Sequence, residues 1–290
     1  MRFFKYFLTS VAAVFICLPC ASYPRDGGPQ PADRTIKVDV PEAARAIPFL
    51  TSMSLDAPPG FKVSLFASNL GGVRMMAESS DGVIYAAVPS EGAVIALPDR
   101  DHDGVADSKV IFASGLNKPH SMVFIGAPST TLDTKALEVT EAVSSKVVLG
   151  AQILVAETGA LVLLKDTDND MKADVIKIIS TDLPEGGGHW TRTVAAGPDG
   201  YLYVSAGSSC NACEEKDQRR AAVLRFKPEG GKAEVFAKGL RNSVGIAFEP
   251  NTKELWGVDN GADWLGENLP PEELNRIVKG GDYGWPYCYG

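Results

Sequence analysis

Phe112-Ala113-Ser114-Gly115-Leu116 is one of four versions of a single phrase, and its recurrence decides the fold. The others are Phe66-Ala67-Ser68-Asn69-Leu70, Ile179-Ser180-Thr181-Asp182-Leu183 and Phe236-Ala237-Lys238-Gly239-Leu240. Their leucines fall at 70, 116, 183 and 240, in steps of 46, 67 and 57 residues. A few turn residues and a short apolar strand follow each phrase. In three cases a turn and a second strand come next: Asp81-Gly82 before 83–88, Pro198-Asp199-Gly200 before 201–204, and Pro250 to Lys253 before 254–258. The long step contains the Ser/Thr-rich stretch 128–145, which reads as a surface insertion. No helix-period segment of any length interrupts the strands. A repeating unit of about fifty residues built from short strands is a propeller blade, and one blade cannot cover its own two faces. The expectation is an all-β propeller with four to five blades in this chain. The sequence stops at Gly290 just after a turn, so the reading is a fragment of a longer product or a ring closed by a later segment.

Composition agrees. The chain has 290 residues, 45% of them apolar and 22% charged, which is ordinary for a globular protein. Its 29 glycines and 19 prolines are spread along the sequence, as many tight turns require. A net charge of −8 gives no general attraction for phosphate backbones, which argues against nucleic acid as a partner. The start has the layout of a secretory signal over 1–22: basic Met1-Arg2-Phe3-Phe4-Lys5, an apolar run from Tyr6 to Cys17, then Cys20-Ala21-Ser22. That run is short for a transmembrane helix, so the mature chain is expected to be exported, periplasmic or extracellular, without a membrane span. A lipid anchor at Cys20 is the weaker alternative, because Leu18-Pro19 fits a lipoprotein signal poorly. Residues 23–45 read as an extended lead-in and 46–290 as the propeller.

Two acidic loops place carboxylates at alternate positions, Asp99, Asp101, Asp103 and Asp107, and Asp166, Asp168, Asp170 and Asp174. A hard cation needs several oxygens converging at short range, so structural calcium is one reading and a solvated acidic turn the other. Met171 stands in the second loop where the first has Gly104. Cys210-Asn211-Ala212-Cys213 has a spacing shared by redox dithiols, half zinc sites and short disulfides. The surroundings favour the disulfide, which leaves Cys288 without a partner. Among the histidines, His120 and His189 both follow the repeated phrase and so start inner strands at one mouth of the ring. His189 has the richer setting, Gly186-Gly187-Gly188-His189-Trp190-Thr191-Arg192, where glycines admit a flat ligand and Trp190 and Arg192 offer packing or pairing.

Gly239-Leu240-Arg241-Asn242-Ser243-Val244-Gly245 opens the next blade at the equivalent mouth position. Asp259-Asn260-Gly261-Ala262-Asp263, Glu273-Leu274-Asn275-Arg276-Ile277 and Gly280-Gly281-Asp282-Tyr283-Gly284-Trp285-Pro286 follow in order. From about Phe61 onward the chain resembles the soluble quinoprotein sugar dehydrogenases, most closely their sorbosone dehydrogenase-like branch. The resemblance implies a six-bladed propeller of the soluble quinoprotein glucose dehydrogenase type, holding pyrroloquinoline quinone and calcium at its central mouth. It makes His189 the catalytic base, followed eight residues later by Gly197-Pro198-Asp199-Gly200, and sets Arg241 and Asn242 at the cofactor. Arg192 would be a shifted equivalent of a further cofactor residue. Calcium would be held by the backbone carbonyls of Gly261 and Ala262, the latter replacing the family's common proline. The carboxylate that usually assists the histidine aligns with Ser208, which can orient a neutral imidazole but cannot stabilise an imidazolium as a carboxylate would. The implied reaction oxidises an aldose or sugar-derived aldehyde and passes electrons to an external acceptor such as a cytochrome. No Gly-x-Gly-x-x-Gly opens a βαβ unit and no Cys-x-x-Cys-His occurs, which disfavours a nicotinamide enzyme and a haem attached within this chain. Two other readings remain, a non-catalytic carbohydrate- or protein-binding propeller and a calcium-dependent lactonase-like propeller.

Overall fold

The computed structural model describes residues 13–17, 34–45, 52–58, 60–125, 152–266 and 271–288. The expected insertion 128–145, Cys20 and most of the expected signal lie outside them. The chain divides into two units, one of residues 1–73 and 97–109, the other of residues 74–96 and 110–290.

In the first unit, β1 (Ala13–Cys17) pairs antiparallel with β4 (Lys62–Ala67), and β2 (Arg34–Lys37) with β3 (Ser54–Ala57). Its core is Val38, Val40, Ala57, Val63 and Leu65. The first of the four phrases closes β4, and its Asn69 takes a left-handed φ of 56°.

The second unit is a succession of four blades, as the repeat requires. β5 (Met76–Glu78), β6 (Ile84–Val88), β7 (Ala93–Leu97) and β8 (Val110–Ala113) make the first. β9 (Ser121–Phe124), β10 (Gln152–Glu157), β11 (Ala160–Lys165) and β12 (Val175–Ser180) make the second. β13 (Arg192–Ala196), β14 (Leu202–Ala206), β15 (Ala222–Lys227) and β16 (Gly230–Lys238) make the third, and β17 (Ser243–Phe248), β18 (Leu255–Asp259) and β19 (Glu273–Ile277) the fourth. Within each blade the strands run antiparallel in chain order, and β5, β9, β13 and β17 neighbour one another in succession. Those four are therefore the inner strands.

The repeated phrase is the end of an outer strand plus the crossing to the next inner strand. Phe112 and Ala113 end β8, Ile179 and Ser180 end β12, and Phe236 to Lys238 end β16. Gly115 and Gly239 then turn with φ of 78° and 74°, where an L side chain is disfavoured. Leu183 and Leu240 are buried beyond the turn. At Gly239 a Cβ would also stand 2.6 Å from the Gly284 nitrogen. The Gly-Gly-Asp-Tyr-Gly-Trp-Pro stretch runs along this crossing: the Tyr283 amide donates to the Lys238 carbonyl and the Trp285 amide to the Gly239 carbonyl.

Burial explains the strand compositions. β10 and β11 are continuous apolar runs because neighbouring blades cover both faces, whereas four of six residues of β12 are exposed. Between the first and second blades Tyr85 meets Phe112 and Phe124 edge-on at 5.0 and 5.2 Å. Between the third and fourth, Tyr203 meets Phe236 and Phe248 in the same way at 4.9 and 5.1 Å. Such pairs contribute roughly 0.5–1.5 kcal/mol each beyond area burial.

Candidate active site

The chain enters every inner strand from the same side, so the residues just before β5, β9, β13 and β17 share one end of the blades. Arg74, His120, His189, and the pair Arg241–Asn242 occupy these positions.

The His189 loop lies flat on the segment after β14. Gly186 and Gly187 adopt left-handed φ of 70° and 79°. A Cβ on Gly187 would sit 2.8 Å from the Ser209 Cα, and the Gly188 amide donates to the Ser209 carbonyl at 2.7 Å. No side chain fits there. The imidazole Nδ1 faces the Ser208 carbonyl at 3.0 Å and the Ser208 Oγ at 2.8 Å. The Ser208 hydroxyl donates its own proton to the Cys210 carbonyl at 2.7 Å, so toward histidine it only accepts. Both partners of Nδ1 are acceptors, and Nδ1 must carry the proton. Nε2 is left with its lone pair, and no donor among the described residues takes it. Burial first, then the Arg241 guanidinium, hold the His189 pKa below its ordinary value. The group is thus a neutral base with fixed tautomer. Replacing Ser208 by aspartate is expected to stabilise the imidazolium and move the acid limb of kcat/KM up by about one pH unit. A pH–rate profile checks it.

Gly207 joins His189 to the fourth blade. A Cβ there would lie 2.6 Å from both the His189 Cβ and the Asn242 Oδ1, so only glycine lets these two side chains meet over one peptide. The Ser208 amide donates to the Arg241 carbonyl at 2.8 Å. Asp259, buried at the end of β18, accepts from the Arg241 and Asn242 amides at 2.9 and 2.7 Å and from Ser243 Oγ at 2.9 Å. Burial pushes its carboxyl up from the usual range. Asn242 is aimed by its backbone, and its carboxamide has no hydrogen bond among the described residues.

Arg241 is more committed than expected. Its Nε donates to the Asn211 carbonyl, one Nη to the Asn260 carbonyl, and the other to Asn211 Oδ1 and Asp263 Oδ2, at 2.7 to 3.2 Å. Four of its five donors therefore tie the loop after β14 to the loop after β18, leaving one for a ligand. Cys210 and Cys213 are disulfide-bonded, and this small ring presents both Asn211 and the carbonyl that orients Ser208. Cys288 is free and exposed.

Arg192 departs from its expected place at the cofactor. It is 0% exposed, and its guanidinium donates to the carbonyls of His189, Thr191 and Pro184 at 3.0, 2.6 and 2.5 Å. Burial and the nearby Arg220 lower its pKa to about 10. The third residue after His189 opens β13, where alternation turns its side chain inward, so Arg192 supports the imidazole loop from beneath. His120 is also structural: it is 3% exposed, its Nδ1 donates to the Arg192 carbonyl at 3.0 Å, and burial lowers its pKa to about 4.

Gly261 and Ala262 follow β18 beside Asn242. The flanking carbonyls of Asn260 and Asp263 accept from Arg241 and Asn211, whereas no donor among the described residues reaches the carbonyls of Gly261 and Ala262. Two adjacent open carbonyls suit a hard cation. The two acidic loops share one geometry. Asp99 Oδ2 accepts the Gly104 amide as Asp166 Oδ2 accepts that of Met171, and Asp107 and Asp174 each close their loop onto the backbone. Met171 has a left-handed φ of 64° where Gly104 has 83°. Oxygens of Asp99, Asp101 and Asp103 converge, as do those of Asp166, Asp168 and Asp174, while Asp103 and Asp170 accept the Val105 and Lys172 amides.

Sequence reasoning gave no role to Asp259 or Asn211. A buried aspartate closing an apolar strand was the available signal for the first. The second is visible only once two loops meet.

Residues 151–290 match the family model described as Glucose / Sorbosone dehydrogenase. The chain is 27% identical over 117 residues to the aldose sugar dehydrogenase YliI of Escherichia coli, covering 34% of this chain and 29% of that protein. Among solved structures it resembles the holo pyranose dehydrogenase PQQ domain of Coprinopsis cinerea, with TM-score 0.60 and 17% identity over 80% of this chain and 58% of that one. It also resembles the PQQ-bound aldose sugar dehydrogenase of Streptomyces coelicolor, with TM-score 0.53 and 16% identity over 77% and 65%. The chain thus spans less than two thirds of each of these proteins. The expected resemblance and the propeller fold are both borne out.

Proposed function

Residues 151–290 carry a Glucose / Sorbosone dehydrogenase domain, and on that premise we propose that the protein is a quinone-dependent oxidoreductase that oxidises aldoses or sugar-derived aldehydes with His189 as base. The observation that carries this reading is the locked Nδ1–H of His189, which leaves Nε2 with its lone pair, on a side chain whose Cβ shares the surface of Gly207 with the Asn242 Oδ1. A base of lowered pKa is unprotonated at neutral pH and ready to accept a hydroxyl proton.

The donor set suits a flat, oxygen-rich cofactor. Asn242 and the remaining N–H of Arg241 would hold pyrroloquinoline quinone, and the Gly261 and Ala262 carbonyls would hold calcium. When bound, the quinone supplies a two-electron acceptor and calcium a Lewis acid. The chain itself orients: Asp259 fixes the Arg241–Asn242 backbone, Ser208 fixes the imidazole, and Gly207, where a Cβ would strike both, lets His189 and Asn242 stand side by side. His189 Nε2 takes the proton from the sugar hydroxyl as hydride leaves the same carbon. Serine in place of the assisting carboxylate makes proton release to solvent easier and the imidazolium less stable. The signal-like start supports an exported site of action, with electrons passed to an external acceptor such as a cytochrome.

The test is dye reduction by the full-length protein supplied with pyrroloquinoline quinone and calcium, using aldoses and sugar aldehydes as donors. Turnover that requires the quinone is the expected result. Sugar binding without turnover, or lactone hydrolysis without quinone, overturns the proposal.

A further inference from the structure

Next to His189 stands a cluster that the proton-transfer chemistry leaves unused. Arg74, two residues before β5, places its guanidinium carbon 5.7 Å from the centre of the Trp190 ring. Lys118, before β9, places its Nζ 5.9 Å from the same ring. Both cations are exposed and neither has an ion pair among the described residues. The ring is fixed: His120 packs edge-on at 5.8 Å, and Thr158 Oγ1 donates to the Trp190 carbonyl at 3.3 Å.

Two features make this arrangement costly unless something answers it. Acidic residues outnumber basic ones by 36 to 28 in this chain, yet here two like charges gather at one ring. One carboxylate at this corner, Glu157, is buried, accepts the Asn117 amide at 2.7 Å, and is pushed up by desolvation, so it makes a poor counter-ion. Lys118 also holds a left-handed φ of 51°, a conformation that is strained for a non-glycine residue. A cation–π contact at an exposed site returns little of that cost and leaves the outward N–H groups free.

We infer that Arg74, Lys118 and Trp190 form a subsite for an anionic group on the sugar, making the preferred substrate an aldose that bears a carboxylate, of the hexuronic acid class. This rests on the dehydrogenase reading and adds the substrate class to it. Trp190 is half-buried and leaves part of its apolar ring for a sugar to lie against, and the two cations present N–H donors to a carboxylate on that sugar. The adjoining residue in the chain is the base, His189, and the subsite works with it if a carboxylate held at one end of the pyranose leaves the anomeric hydroxyl to the imidazole at the other. The reaction at that carbon is unchanged. The hydroxyl proton would go to His189 Nε2, the quinone, when bound, would supply the acceptor for the C1 hydride, and the lactol would become a lactone. The quinone carries carboxylates of its own, so the test must separate the two anions.

The full-length holoprotein is assayed with glucose and with glucuronate at low and high salt, as wild type and as R74Q, K118Q and the double variant. The binding of both sugars and of the quinone is measured separately by calorimetry. The expected result is a kcat/KM for glucuronate about tenfold above that for glucose at low salt. This preference should fall to about twofold or less in the double variant and at high salt, with glucose turnover and quinone affinity unchanged. Charge-selective sugar binding without turnover supports the subsite while sinking the dehydrogenase reading. Turnover with no preference for the charged sugar overturns the subsite while that reading stands. Loss of quinone affinity in the variants with the sugar preference intact assigns the cations to the cofactor and likewise overturns it.

Discussion

Replacing His189 by alanine is expected to lower kcat for sugar oxidation by a factor of about 10² to 10⁴, the range set by loss of a positioned general base. The fall should appear in kcat and kcat/KM alike, because the proton moves in the transition state. Thermal stability should change little, since the side chain is half-buried and its two hydrogen bonds end on groups with other partners: the Ser208 carbonyl also faces the His189 amide and the hydroxyl still donates to Cys210. Quinone affinity measured by calorimetry should persist in the variant, as Asn242 and Arg241 are untouched. Stopped-flow reduction of the bound cofactor is the decisive measurement. A variant that keeps more than about a tenth of the wild-type rate would remove His189 from the chemistry.

Asp259→Ala is expected to destabilise the fold by about 3 kcal/mol, because three donors lose their acceptor in a buried place. Those donors are the amides of Arg241 and Asn242 and the hydroxyl of Ser243. For a chain of this size the melting temperature should drop by roughly 5 °C. The same variant should lose quinone binding even at temperatures where it remains folded, since the carboxylate is what aims the Asn242 backbone. Asp259→Asn keeps one acceptor oxygen and should fall between the two. Scanning calorimetry with a parallel quinone titration separates the stability loss from the positioning loss.

The fold was legible because the phrase, in the versions ending in Leu116, Leu183 and Leu240, encodes a physical event, the crossing from an outer strand to the next inner one. Gly115 and Gly239 supply its left-handed turn. Equivalent position in that repeat also put His189 and the Arg241–Asn242 pair at one end of their blades, and Gly207 brings two of these side chains together. Arg192 was not legible. Whether an arginine after a glycine-rich turn points to a ligand or to the carbonyls beneath it depends on where the strand begins, and β13 begins at Arg192 itself. Arg241 was legible in place but not in role: Asn211 and Asp263, distant in sequence, absorb most of its donors. The Trp190 cluster joins side chains from 74, 118 and 190, a separation no spacing rule covers.

The buried Arg192 has a consequence for how the protein responds to its surroundings. Its partners are main-chain carbonyls, which neither gain nor lose protons, and with a pKa of about 10 the guanidinium stays charged throughout the neutral and acid range. The platform under the imidazole is therefore indifferent to acidification and shielded from dissolved ions. Acidity reaches this loop through His189 alone of this pair, so the support stays put while the imidazole titrates.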